Sequence, residues 1–137
     1  MKCLVCLGIL SDAFDFSLTK WVGVDEMSFG YIAQNGKKVG PSCKNQGEEY
    51  GQTYQDNDVI GVLFDATKKK IKFFKNGVSQ GYAFTDPAEF EKTKGQNFYF
   101  GVSLARFGMA VTALRYECLG EDFDIDTFEP AMLNSGF

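Results

Sequence analysis

The chain is 137 residues long with a formal net charge of −4, which suits one compact domain and argues against wholesale binding to nucleic acid or an anionic membrane. It contains no histidine, so Ser-His-Asp and Cys-His nucleophilic systems, histidine zinc sites and histidine general bases are excluded. Fourteen Phe and six Tyr favour strands, and fifteen Gly favour closely spaced turns.

Lys2 followed by Cys3–Leu10 imitates a short leader, but Ser11-Asp12-Ala13-Phe14 is a poor cleavage site. Met1–Leu10 is instead predicted to be a strand buried on both faces. Ser11–Gly23 interleaves Asp12, Asp15, Ser17 and Thr19 with Phe14, Phe16, Leu18, Trp21 and Val22, and reads as a long ordered loop. Ser28–Ala33 is a strand, followed by Asn35-Gly36, a pair that tolerates the two positive φ angles of a type I′ turn. Gly40–Asp56 is a polar connection, anchored to the core by Tyr50-Gly51 and Tyr54. Asp58–Asp65, Ile71–Lys75 and Val78–Phe84 form a meander, turning at Ala66–Lys70 and at a second Asn-Gly, Asn76-Gly77. Asp86-Pro87 opens a short helical turn that runs through Lys92. Phe98–Leu104 and Ala110–Tyr116 are two further strands. Glu117–Phe137 is acidic and irregular, with Phe123, Ile125, Phe128, Met132, Leu133 and Phe137 available to tack it onto the body.

Roughly seven or eight short strands with almost no helical periodicity imply an all-β fold, a two-sheet antiparallel β-sandwich. The domain is assigned to residues 1–120, and residues 121–137 form an acidic C-terminal tail packed on or beside it.

The four cysteines do not suggest chemistry. Cys3 and Cys6 make a C-x-x-C pair with no second pair after it, and Cys43 and Cys118 lack metal-ligand spacing. All four read as buried, reduced thiols in strands of an intracellular protein. Asp58 and Asp65 are expected to accept backbone hydrogen bonds at strand ends rather than to form a catalytic pair. Lys68, Lys69, Lys70, Lys72 and Lys75 read as a solvated basic hairpin that guards a strand edge, without the interleaved arginines and aromatics of a nucleic-acid surface. Asp122, Asp124, Asp126 and Glu129 lack the glycine and the offset glutamate of a calcium loop.

One ordered set of residues goes further. Gly23-x4-Ser28-Phe29-Gly30-Tyr31, Tyr50-Gly51, Asp58-Val59-Ile60-Gly61-x3-Asp65, Ile71-x-Phe73-x2-Asn76-Gly77 and Gly81-x-Ala83-Phe84 resemble the SPRY domain family in order and spacing, over about Gly8 to Tyr116. The pattern is most similar to the Ran-binding-protein-like and DEAD-box-helicase-inserted types. The resemblance implies a bent, concanavalin A-like jelly-roll sandwich that binds proteins or peptides. The family normally has one or more strands before the one placed at Met1–Leu10, so an unpaired edge is expected here, to be filled by the tail or by a second copy unless the chain is a truncated form.

The resemblance also implies a site. In peptide-binding members, the loop before the Gly-x4-Ser-aromatic-Gly-aromatic motif and the loop between the last two core strands line one pocket. The matching residues are Leu18, Lys20, Trp21 and Gly23, with Arg106, Phe107 and Gly108. Trp21 and Phe107 can supply aromatic walls, Arg106 a fork for a carboxylate or carbonyl, and Gly108 close backbone approach. The Tyr31–Lys38 hairpin can rim the same face. The expected function is a non-enzymatic protein-interaction module, cytoplasmic or nuclear, with a protein or peptide partner, no membrane or nucleic-acid partner, and no catalytic residue, metal or cofactor. The alternative is a lectin-like sandwich for carbohydrate or nucleotide, since fold alone does not fix the ligand.

Overall fold

The computed structural model describes residues 5–16, 21–43, 46–105, 109–120 and 122–130. Among them no helix is long and apolar enough to cross a membrane. Among the described residues seven strands run in chain order as β1 (Val5–Ser11), β2 (Ser28–Ile32), β3 (Lys38–Val39), β4 (Ile60–Asp65), β5 (Lys70–Lys75), β6 (Val78–Phe84) and β7 (Phe98–Leu104), with a 3-10 helix at Pro87–Thr93 before β7. They form two antiparallel sheets, ordered β3-β2-β1-β7 and β4-β5-β6.

The sheets pack face to face because alternate residues on each are apolar. Val5 and Ile9 of β1 and Phe29 and Tyr31 of β2 meet Ile71 and Phe73 of β5 and Ala83 and Phe84 of β6. Rings fill the interior: Phe29 lies edge-on to Phe84 at 5.1 Å and stacks on Phe90 of the 3-10 helix at 4.7 Å. The long connection after β3 contributes Tyr54, whose hydroxyl donates to the Tyr31 carbonyl at 2.5 Å, and Tyr50, whose hydroxyl donates to the Gly81 carbonyl at 2.6 Å. Pro87 and the Asp86 carboxylate, which accepts from the Ala88 N–H at 2.9 Å, start the 3-10 helix.

β1 is buried on both faces, as its unbroken apolar run predicts. The residues that point away from the sandwich interior, Cys6 and Leu10, are covered by Phe14, Val22 and Val39. At Asn76-Gly77 both residues take positive φ, 51° and 82°, so β5 and β6 are joined by the expected primed turn.

Five expectations are corrected. Asn35-Gly36 is not a type I′ turn: only Gly36 has positive φ, at 71°. The Asn35 side chain accepts the Lys37 N–H at 2.9 Å and the Gly36 N–H reaches back to the Ile32 carbonyl, which closes a wider loop. Ala110–Tyr116 forms no strand; its residues are exposed and lie outside both sheets. Strand propensity does not supply a ladder partner, and β1 is already flanked by β2 and β7. For the same reason β1 offers no free edge; among the described residues the outer side of β7 is unpaired. Cys118 is exposed and lies in no strand, and Cys43 is buried but likewise outside the strands. Lys72 is buried rather than solvated, because its ammonium donates to the Ile125 carbonyl at 2.8 Å and lies over the Tyr82 ring. Cys3 lies outside the described residues.

Candidate functional site

The loop that follows β1 folds back over the outer face of the first sheet. Its first turn is fixed by Ser11 donating to the Met27 carbonyl at 3.0 Å and by Asp12, whose carboxylate accepts from the Asn97 N–H at 2.9 Å. Phe14 and Val22 are buried on Cys6, Leu10 and Val39, and half-buried Trp21 packs against the same cluster. The indole is therefore anchored along part of its surface and open to solvent along the rest.

Gly23 explains its place in the Gly-x4-Ser spacing. Its φ is 89°, and a Cβ there would lie 2.6 Å from the Val39 carbonyl oxygen. Only glycine closes the loop at this point. The Gly23 N–H donates to Ser28 Oγ at 2.7 Å, and the Ser28 hydroxyl donates to Asp25 Oδ1 at 2.7 Å. Asp25 Oδ1 also accepts from the Met27 N–H at 3.1 Å. One serine and one carboxylate thus bind both ends of the loop to the start of β2.

A further bond reaches across the sheet. The Val22 N–H donates to Ser103 Oγ at 2.9 Å. Ser103 lies near the end of β7, where the chain continues into Ala105 and Arg106. Trp21 and Gly23 are consequently held beside the strand that delivers the second candidate loop. Leu18, Lys20, Arg106, Phe107 and Gly108 lie outside the described residues. The turn after β2 is at the same end of the first sheet, where Val5 pairs with Leu104 and Cys6 with Ile32. That turn leans on the connection after β3, through Gly51 donating to the Gly36 carbonyl at 2.8 Å.

The titratable groups around this frame are structural. Cys6 donates to the Val22 carbonyl, and burial pushes its thiol up to about 12, so it stays protonated. Burial also raises the Cys43 thiol. Asp65 accepts from the Thr67 and Lys68 N–H groups at 3.0 and 2.9 Å, and Asp58 from the Gln55 N–H at 2.8 Å and the Asn76 amide at 2.9 Å. Burial opposes the Asp58 charge, and the Asn76 amide, the Gln55 N–H and nearby Lys75 outweigh it, holding the carboxyl below its ordinary value. Asp65 ends β4 as expected, whereas Asp58 lies just before the strand, which begins at Ile60. Among the described residues no group of three or more His, Cys, Asp or Glu side chains gathers to hold a metal.

Sequence reasoning missed one surface. Along β7, Tyr99 and Phe100 are about half exposed, at 54% and 51%, and Val102 and Leu104 are exposed beside them. A cleft of about 610 Å³ opens next to this strand, lined by Ile9, Val62, Phe64, Phe98, Phe100 and Tyr116 among others. The available signal was the absence of any charge from Phe98 to Leu104, which a strand with both neighbours in place does not need to answer for.

The comparisons agree with this architecture. The family model described as SPRY domain matches residues 2–115. The chain is 31% identical over 124 residues to "E3 ubiquitin-protein ligase RKP" of Arabidopsis thaliana, covering 90% of this chain and 9% of that protein. It is 33% identical over 99 residues to "ATP-dependent RNA helicase Ddx1" of Drosophila melanogaster, covering 69% and 13%. It is also 33% identical over 90 residues to "Ran-binding proteins 9/10 homolog" of the same fly, covering 65% and 9%. The chain therefore spans only a small part of these curated relatives. A crystal structure of a human SPRY domain superposes with a TM-score of 0.51 at 23% identity, over 58% of this chain and 50% of that one, which supports the fold. With the sandwich, the glycine-closed loop and the family model in agreement, this chain belongs to the SPRY domain family, whose members are generally protein-interaction modules.

Proposed function

We propose that the chain is a non-enzymatic interaction module that binds a short, extended peptide segment of a partner protein through the loops around Leu18–Gly23 and Arg106–Gly108. The observation that carries this reading is the Val22–Ser103 hydrogen bond, which ties Trp21 and Gly23 to the strand leading into Arg106. Trp21 and Phe107 form aromatic walls, Arg106 forks onto a carboxylate or carbonyl, Gly108 admits the peptide backbone, and Leu18 and Lys20 complete the rim. A frame closed by buried glycine and serine contacts spends little entropy on ordering when a ligand arrives.

No cofactor or metal enters this reading. Neither nucleic acid nor membrane is its partner: the net charge is −4, and Lys70, Lys72 and Lys75 are engaged with Asp126, the Ile125 carbonyl and the Thr53 carbonyl. The reduced Cys6 and Cys43 thiols fit a cytoplasmic or nuclear setting. Nothing in the geometry favours the carbohydrate or nucleotide alternative. The free side of β7, uncharged from Phe98 to Leu104, is the edge through which a second copy would pair.

Selecting binders from a displayed random-peptide library tests the reading. Selected peptides should bind the wild type and lose at least about tenfold in affinity on the Trp21→Ala/Arg106→Ala/Phe107→Ala variant, with its melting curve retained. Undiminished binding by that folded variant would remove the site assignment.

A further inference from the structure

The outer face of the second sheet is not open to solvent. Leu63 of β4 and Phe74 of β5 point away from the sandwich interior, and with Ile125 they form a buried cluster. Ile125 is wholly buried, and Leu119, Phe123, Phe128 and Tyr82 pack around it. Lys72 donates to the Ile125 carbonyl at 2.8 Å, and Lys70 lies 3.8 Å from Asp126 Oδ1. Both ammonium groups sit over the Tyr82 ring, at 4.5 and 5.0 Å. The segment from 122 to 129 thus occupies a pocket with an apolar floor of Leu63 and Phe74, an aromatic wall of Tyr82 and two cations.

Three features make this an occupant rather than a piece of the frame. First, it is shaped locally: Asp124 Oδ1 accepts the Asp126 N–H at 2.9 Å, and the Asp124 carbonyl accepts from the Thr127 and Phe128 N–H groups at 3.2 and 2.9 Å. These bonds form a hook with Ile125 at its bend, without any ladder bond to the sheet. Second, residues 109–120, which lead to it, form no strand or helix and are nearly all exposed. Third, the fit is incomplete: the Tyr82 hydroxyl is buried with no hydrogen-bond partner among the described residues. A ligand that brought an acceptor to that hydroxyl would gain over the resident hook.

We propose that the outer face of β4-β5-β6 is a second peptide-docking site, distinct from the loop face, that takes a short acidic segment of a partner protein presenting a buried aliphatic side chain between two aromatic ones. Residues 122–129 are its tethered occupant and compete with that partner. The acids Asp122, Asp124, Asp126 and Glu129 match the lysines of β5 in charge, and the spacing Phe123-x-Ile125-x2-Phe128 defines the pattern to be matched. Because the hook is covalently attached, its effective concentration is high, and free peptide meets a site that is already filled.

The test uses a fluorescein-labelled peptide of residues 119–130 and the full chain, read by anisotropy. Wild type should bind it at least about tenfold more weakly than the Ile125→Asp chain, whose own hook no longer docks. A peptide carrying Ile125→Asp should bind neither. Adding Lys70→Glu to the Ile125→Asp chain should weaken binding several-fold. Should Ile125→Asp cost the fold, as judged by its melting curve, the Phe123→Ala/Phe128→Ala chain supplies the loosened hook and should bind the peptide better than wild type. Equal binding to wild type and hook variants, or no binding to a folded hook variant, would overturn the proposal. So would a wild-type dimer that excess peptide splits, because the hook would then belong to a second copy.

Discussion

Gly23 shows how one residue joins sequence motif to site. Its positive φ and the Val39 carbonyl behind it leave no space for a side chain. Gly23→Ala should lower stability by about 2 kcal/mol or more, read as a lower denaturant midpoint, and should loosen Trp21 as well. Thiol chemistry provides a second test at this scale. Iodoacetamide at neutral pH should modify exposed Cys118 quickly and leave buried Cys6 untouched until denaturant is added, as peptide mass mapping would show. Asp58 provides a third. Its folded-state carboxyl titrates below the ordinary 3.8, so the stability it confers is complete above roughly pH 5 and is lost as the pH falls through the lower folded value. The melting-temperature gap between wild type and Asp58→Asn should therefore narrow on acidification. The backbone-accepting roles of Asp58 and Asp65 were legible in the sequence because each takes an N–H a few residues away, whereas the Val39 carbonyl that requires glycine at Gly23 is distant in the chain. The role of Lys72 was not legible either: its partner, the Ile125 carbonyl, is distant in the chain.

At the scale of elements, legibility followed the locality of the cause. The burial of β1 on both faces and the β4-β5-β6 meander were readable from apolar runs bounded by turn residues. The two Asn-Gly pairs separate what the dipeptide permits from what its surroundings choose. Asn76 takes positive φ, whereas Asn35 spends its side chain on Lys37 and keeps its own φ out of that region. Asn76→Ala should accordingly cost about 1 kcal/mol in chemical unfolding, because alanine resists the left-handed conformation and the side chain's bonds to Asp58 and the Val59 N–H are lost. Asn35→Ala should cost less. Ala110–Tyr116 marks the opposite limit, since a strand exists only with a partner, and pairing between distant segments is not written in the residues of either one.

Across the whole molecule, two sheets and a covering loop hold the proposed recognition face at one end of the first sheet, while residues 122–129 cover the outer face of the second. Of the candidate loop face only Trp21 and Gly23 are among the described residues, and their anchor Ser103 was invisible to sequence reasoning because a serine hydroxyl gives no sign of which distant N–H it will accept. The β7 edge carries a separate expectation about assembly. Light scattering should show a dimer at high concentration, and Val102→Lys, which puts a charge on the exposed edge, should return it to monomer mass.

The central claim is that an extended peptide of the partner binds at the loop face, a site separate from the outer face of the second sheet. Backbone amide shift mapping by NMR, with a library-selected peptide titrated into the labelled chain, tests it most directly. The account predicts that perturbations concentrate at residues 18–24 and 103–109. Shifts confined to the strands of the β4-β5-β6 sheet, with those loops silent, would contradict it.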